Sequence, residues 1–245
     1  MKVLSIGNSF SQDAHKWLHA LAAREGVDIE TSNLYIGGCS LEMHRDNLLQ
    51  EKESYSYEPN GGAPTRKISI PDALRSEEWD CITLQQASPY SGMPETYEPY
   101  LTELIDAIRA TCPAAKLYFH KTWAYETGFS SPSFSAYGKD QAVMYARLTK
   151  AVDSAARQHG LTVIPVGTVI QTLRTEIPAF DYAKTGLSLC RDGYHLSLDY
   201  GRFAAAATWF ATLTGRPVSE GNFEDFDVSL LGKIVEVVNR VCGVK

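Results

Sequence analysis

Short apolar runs alternate with longer amphipathic stretches along the chain. Val3–Ile6, Thr31–Ile36, Cys81–Leu84, Leu117–His120 and Thr162–Val166 are apolar and β-rich, and each is followed at some distance by a stretch of helical character. The spacing predicts helices over Gln12–Arg24, Tyr97–Thr111, Lys139–His159, Tyr200–Leu213 and about Val228–Val241. In the third, Val143, Ala146, Leu148, Ala151, Val152 and Ala155 form an apolar stripe near the helical period. Strands that alternate with helices imply a parallel sheet covered on both faces, a three-layer α/β/α sandwich. No repeat and no flexible linker divides residues 1–245, so the chain reads as a single domain.

Two segments interrupt the alternation. Glu51–Ile70 contains Tyr55, Tyr57, Asn60-Gly61-Gly62 and Pro64, and reads either as a binding loop or as a hairpin turning at Asn60-Gly61. Thr127–Gly138, with Ser130, Ser131, Pro132 and Ser133, is the other candidate for a loop that shapes a site.

Composition narrows the functional classes. The 245 residues are 44% hydrophobic and 21% charged, ordinary for a globule that buries a sizeable core. With a formal net charge of -6 and scattered basic residues, the chain offers no patch for a nucleic-acid backbone. No run approaches the ~18 apolar residues of a membrane span. Met1-Lys2 leads directly into the first strand, which reads as cytoplasmic as it stands, or as secreted or periplasmic if a signal peptide has been removed. The five cysteines (39, 81, 112, 190 and 242) lack metal-ligand spacing and read as buried free thiols, so no metal site is expected.

The chemistry concentrates at strand ends. The first strand breaks abruptly into Gly7-Asn8-Ser9, a turn that can expose a serine hydroxyl. Such a hydroxyl needs a base, and the base needs an acid to hold its tautomer. Of the histidines at 15, 19, 44, 120, 159 and 195, only His195 has a carboxylate three residues before it, Asp192 in CRDGYHLS, a spacing that can bring the two to the same side of a turn. His15 and His19 read as surface or groove residues, and His159 as a helix C-terminal residue. Taken alone, Asp192 fits a helix cap as well as a catalytic acid.

Gly7-Asn8-Ser9, Gly38-Cys39-Ser40, Gln85-Gln86 and Asp192-Gly193-Tyr194-His195 form an ordered set after successive strands, and this order resembles the SGNH, or GDSL-like, hydrolase superfamily. The resemblance implies a flavodoxin-like parallel sheet of about five strands. It also implies Ser9 as nucleophile, His195 as base, Asp192 as acid and the Gly38 N–H as an oxyanion donor. Where the superfamily usually has an Asn after the third strand, this chain has CITLQQASPY, so Gln85, or else Gln86 one position on, is expected in the oxyanion hole. Gln85 aligns with the glutamine of a Gln-Gly-Glu motif in carbohydrate-esterase branches. LQQ-x-S, Trp123 and Met144-Tyr145 also resemble an uncharacterised bacterial branch.

The implied activity is a serine esterase acting through an acyl-enzyme without cofactor or metal. Tyr90, Trp123 and Tyr125, with Phe129 and Phe134, are expected near the mouth, where aromatic faces suit sugar rings. The expected partner is a small-molecule or carbohydrate ester, an O-acetylated carbohydrate first. The rivals are a lipase or thioesterase acting on longer acyl chains, and a catalytically silent sugar-binding protein on the same fold.

Overall fold

The structure, a computed structural model, describes residues 1–185 and 187–245. In chain order the elements begin with β1 (Lys2–Gly7), α1 (Ser9–Arg24), β2 (Glu30–Tyr35) and α2 (Leu41–Leu49). The pair β3 (Tyr55–Pro59) and β4 (Arg66–Ile68) follows, then α3 (Ile70–Arg75), β5 (Cys81–Leu84), α4 (Tyr100–Thr111) and β6 (Lys116–His120). The rest comprises α5 (Pro132–Ser135), α6 (Gln141–His159), β7 (Thr162–Ile164), α7 (Val166–Glu176), α8 (Tyr182–Thr185), α9 (Tyr200–Thr214) and α10 (Val228–Cys242).

All seven strands form one sheet in the order β4-β3-β2-β1-β5-β6-β7. The five strands expected from sequence are its parallel members, in the flavodoxin-like order, with β2 and β5 on either side of β1. Winding therefore reverses between β1 and β5, which opens a crevice at their carboxyl ends. The sheet is longer than expected because Tyr55–Ile68 forms the hairpin and pairs antiparallel with β2. Its Glu58 is buried and accepts from Gln12 of α1 (2.7 Å) and Asn33 of β2 (3.0 Å), which docks the hairpin against both.

Strand alternation sorts side chains to two faces. Leu4 and Ile6 of β1, Ile82 and Leu84 of β5 and Phe119 of β6 share a core with α2, α3, α4 and part of α6. Val3 points the other way, into a core built on α1, α7, α9 and α10. There Ala204–Ala207 of α9 are all buried, and their small side chains let α9 lie close to α1. Helix α2 gave no apolar period because its buried residues are Leu41, His44 and Asn47, two of them polar.

The face toward α1 also carries polar groups. Ser5 Oγ lies 2.8 Å from Thr83 Oγ1 and 2.7 Å from His15 Nε2, and the His15 and His120 rings meet the Trp209 indole edge-on at 5.0 and 5.1 Å. His15 is thus fully buried, a correction to its reading as a surface or groove residue: the polar rungs Ser5 and Thr83 give its ring a partner inside the core. His44 is buried on the opposite side, with Nδ1 2.8 Å from the Tyr55 hydroxyl. All five cysteines are free, with Cys39, Cys81 and Cys190 buried. Among the described residues no helix is long and apolar enough to cross a membrane, and no group of three or more metal-ligating side chains is present.

Burial pushes His15, His44 and His120 down from 6.5 to about 3, with neighbouring His15 adding to the effect on His120. Unfolded, each would take up a proton as pH falls through 6.5; folded, each stays neutral until about 3. Between those limits the unfolded state binds more protons, so this stability is complete above pH 6.5 and is lost as pH falls. The slope approaches about 4 kcal/mol per pH unit for three such groups. Urea denaturation from pH 7.5 to 4.5 should show a steep acid-side loss, and a flat profile would contradict neutral burial of these rings.

Candidate active site

At the end of β1 the chain turns directly into α1. Gly7 is needed for close approach, since a Cβ there would stand 2.1 Å from Ser11 Oγ. Asn8 then caps α1, its Oδ1 accepting the Phe10 N–H at 3.0 Å, while its own N–H donates to Ser11 Oγ at 3.1 Å. This leaves Ser9 as the first residue of a 16-residue helix, at the end where the helix dipole favours negative charge.

The Asp192–His195 segment meets that serine. Cys190 and Leu196 pair across an antiparallel bridge, closing the turn between them. His195 Nε2 lies 2.9 Å from Ser9 Oγ and His195 Nδ1 2.7 Å from Asp192 Oδ2. Asp192 Oδ1 accepts the backbone N–H groups of His195 (2.7 Å) and Tyr194 (3.2 Å). Partial burial would raise the Asp192 carboxyl, but the His195 ring and these two N–H groups outweigh it and hold the carboxyl below its usual range. An ionised Asp192 keeps the imidazole proton on Nδ1 and leaves Nε2 free to accept from the Ser9 hydroxyl. The three predicted residues are therefore brought into one hydrogen-bonded line.

Ser9 and His195 open into a cavity of about 450 Å³. Gly38, in the turn after β2, lines it with φ +65°, a conformation that favours glycine. Among the described residues neither the Ser9 nor the Gly38 backbone N–H has an acceptor. The lining also includes Tyr125, Phe129 and Tyr194, the last with its ring 3.8 Å from that of His195, and the hydroxyls of Ser88, Ser131 and Ser133. A larger open groove of about 1130 Å³ lies at the amino ends of the strands, against Lys2, Trp79 and Lys116, and holds no nucleophile–base pair.

Other predicted residues lie elsewhere. Gln85 is buried and does not line the cavity: its Nε2 donates to Asn8 Oδ1 at 2.6 Å and its Oε1 lies 2.7 Å from His120 Nδ1. Gln86 faces the other way, accepting the Leu41 N–H (3.1 Å) and donating to the Thr96 carbonyl (2.8 Å). Both amides are committed to protein partners, which corrects their reading as oxyanion donors. Trp123 is fully buried, stacked on Phe10 at 4.2 Å with its indole N–H donating to the Tyr194 carbonyl, so it supports the wall from behind and meets no ligand. Tyr90 lies outside the cavity lining, its ring half in solvent, while Tyr125 forms part of the wall with its hydroxyl 2.8 Å from Ser88 Oγ. Sequence reasoning did not single out Asn8, Tyr35, Ser88 or Tyr194 as lining residues. Ser131 and Ser133 were signalled by the serine-rich loop that carries them.

The polarity of the buried amide chain follows from the helix terminus. The Phe10 N–H identifies Asn8 Oδ1 as an acceptor, so the Gln85 atom facing it is the donor and Gln85 Oε1 must accept from His120 Nδ1–H. Asn8 Nδ2 in turn donates to the Cys39 carbonyl at 3.1 Å, next to Gly38.

Comparison with known proteins agrees with this architecture. The family described as "Domain of unknown function (DUF4886)" matches residues 2–236. The crystal structure of a DUF4886 family protein from Bacteroides uniformis is 40% identical, with a TM-score of 0.91 over 98% of this chain and 94% of that one. A protein from Slackia heliotrinireducens assigned to the SGNH hydrolases is 22% identical, with a TM-score of 0.59 over 87% and 98%. A mutant of an acetyl-xylooligosaccharide esterase from Geobacillus is 14% identical, with a TM-score of 0.53 over 87% and 94%. Among curated proteins none matches the sequence. The fold is that of the SGNH hydrolases.

Because Gln85 joins Asn8 to His120, its loss leaves a buried imidazole N–H without a partner. Gln85→Ala should destabilise the protein by about 1–3 kcal/mol. Gln85→Glu should cost at least as much despite its similar shape, since a carboxylate cannot donate to Asn8 Oδ1. Urea denaturation at pH 7.5 measures both, and a Gln85→Glu protein as stable as wild type would contradict the amide chain.

Proposed function

The chain belongs to the DUF4886 family, and on that footing we propose that it is a serine esterase acting on short-chain esters, with an O-acetylated carbohydrate as the substrate class. The observation that carries the reading is the unbroken line Ser9–His195–Asp192, at 2.9 and 2.7 Å, opening into a cavity beside two unpartnered backbone N–H groups.

In this reading Ser9 Oγ attacks the ester carbonyl as His195 Nε2 takes its proton. Asp192 holds the ring and stabilises the imidazolium that forms. The carbonyl oxygen becomes an anion and accepts from the Ser9 and Gly38 N–H groups, with the α1 terminus adding its dipole. His195 then returns the proton to the departing alcohol, and a water molecule repeats the sequence on the acyl-enzyme to release the acid. Chain residues supply each of these roles.

The substrate class is supported by the wall. Phe129 and Tyr194 offer aromatic faces, with the buried Tyr125 packed behind them, and Ser88, Ser131 and Ser133 offer hydroxyls, a combination suited to a sugar bearing a small acyl group. The acetyl-xylooligosaccharide esterase among the structural neighbours agrees with that chemistry.

Hydrolysis of p-nitrophenyl acetate should be measurable with wild type and lost in Ser9→Ala. Asp192→Asn should stay folded yet lower kcat by on the order of 10⁴. Acetate should be preferred over octanoate esters. An inert wild type, or a Ser9→Ala protein with undiminished rate, would overturn the esterase reading.

A further inference from the structure

Asp13 lies one helical turn beyond Ser9 on α1 and is completely buried. Its Oδ1 is 2.8 Å from Arg202 Nε of α9 and 3.0 Å from an Arg191 guanidinium nitrogen. Its Oδ2 accepts the Leu196 N–H at 2.9 Å and lies 3.2 Å from the same Arg191 nitrogen. Arg191 immediately precedes Asp192, and Leu196 immediately follows His195. One carboxylate on the nucleophile's helix therefore grips both ends of the turn that holds the acid and the base. The same turn is closed internally by the Arg191 N–H donating to the His195 carbonyl at 2.9 Å and by the Arg191 guanidinium bonding the Leu196 carbonyl.

The chemistry of this contact favours geometry over bulk stability. A buried ion pair gives up much of its Coulomb gain to desolvation, so a well-packed apolar group could hold helix against loop about as firmly. A carboxylate bridging two guanidiniums and a backbone N–H fixes direction as well as distance. Residues four apart on a helix are separated by about 6 Å along its axis. The anchor thus sits close to the reacting atoms without entering the cavity, whose lining does not include Asp13.

We propose that Asp13 is a positioning residue that sets the distance and alignment of His195 Nε2 relative to Ser9 Oγ, and so governs the rate of acyl transfer and not substrate affinity. This rests on the reading of Ser9 and His195 as nucleophile and base. A displacement of about 1 Å at such a pair lowers the rate by about 10²-fold.

The test compares wild type, Asp13→Asn and Arg191→Gln by p-nitrophenyl acetate kinetics, by the rate at which a p-nitrophenyl phosphonate modifies Ser9, and by thermal melting. Asp13→Asn keeps the size of the side chain and one acceptor for the Leu196 N–H. Arg191→Gln leaves the Asp13–Arg202 contact between α1 and α9 in place, so the question stays open to measurement if Asp13→Asn fails to fold. The expected result is a loss of kcat and of phosphonylation rate of about 10–100-fold, with KM within about twofold and a cooperative melt retained. Arg191→Gln should change in the same direction by a smaller factor. Wild-type kcat in a folded Asp13→Asn protein, or in Arg191→Gln if only that variant folds, would overturn the proposal while leaving the esterase reading intact. A wild-type protein that neither hydrolyses the ester nor reacts with the phosphonate would overturn the esterase reading, and the role of Asp13 with it.

Discussion

The amide of Asn8 is the interaction on which the cleft depends. Its oxygen caps α1 and receives the Gln85 amide from the end of β5, while its nitrogen holds the Cys39 carbonyl beyond β2. Three neighbouring strand ends are thereby tied to one side chain that is itself nearly inaccessible to water. A carboxylate at this position could make the two accepting contacts but could not donate to Cys39. Asn in place of the Asp of G-D-S therefore adds a connection between the serine turn and the Gly38 turn.

Beneath the cleft the protein keeps a polar layer that an ordinary apolar core would lack. Ser5, Thr83, His15 and His120 lie between the sheet and α1 or α9, and burial keeps both imidazoles neutral at physiological pH. Burying such groups costs free energy unless they are hydrogen-bonded, and Ser5 and Gln85 supply partners for one nitrogen of each ring. One turn along α1 from Ser9, the buried Asp13 performs the corresponding task for the loop that carries Asp192 and His195. The nucleophile helix is thus held directionally from two sides, by amides at its terminus and by an ion pair one turn along. Apolar contacts among α1, α9 and α10 supply the bulk of the packing.

The misread residues share a cause. Gln85 and Gln86 differ by one position and do face different ways, as a strand demands, but periodicity reveals a face and not a partner. Whether an amide at a strand end meets substrate or protein depends on what the next strand and helix bring to it. For Gln85 these are Asn8, 77 residues away, and His120, 35 residues away. Trp123 followed the same logic: a large aromatic near the mouth was read as a ligand platform, whereas Phe10 and the Tyr194 carbonyl claim its face and its N–H. Asp13 escaped notice because its two arginines are 178 and 189 residues distant, and nothing local distinguishes a buried Asp on an amphipathic helix from an exposed one.

By itself the sequence determined the alternation of strands and helices, five parallel strands to within a residue or two of their ends, and the strand-end motifs that carry Ser9, Gly38, Asp192 and His195. The elements follow from short-range physics, apolar periodicity above all, whereas the roles of the four residues came from the order of their motifs along the chain, which resembles that of the SGNH hydrolases. Tertiary structure alone decided which polar groups face the cavity and which are consumed in holding it, because a hydrogen bond or ion pair between distant residues depends on orientation and burial. Neither quantity is encoded in spacing along the chain. It exists only once the strands are ordered and the helices are packed against them.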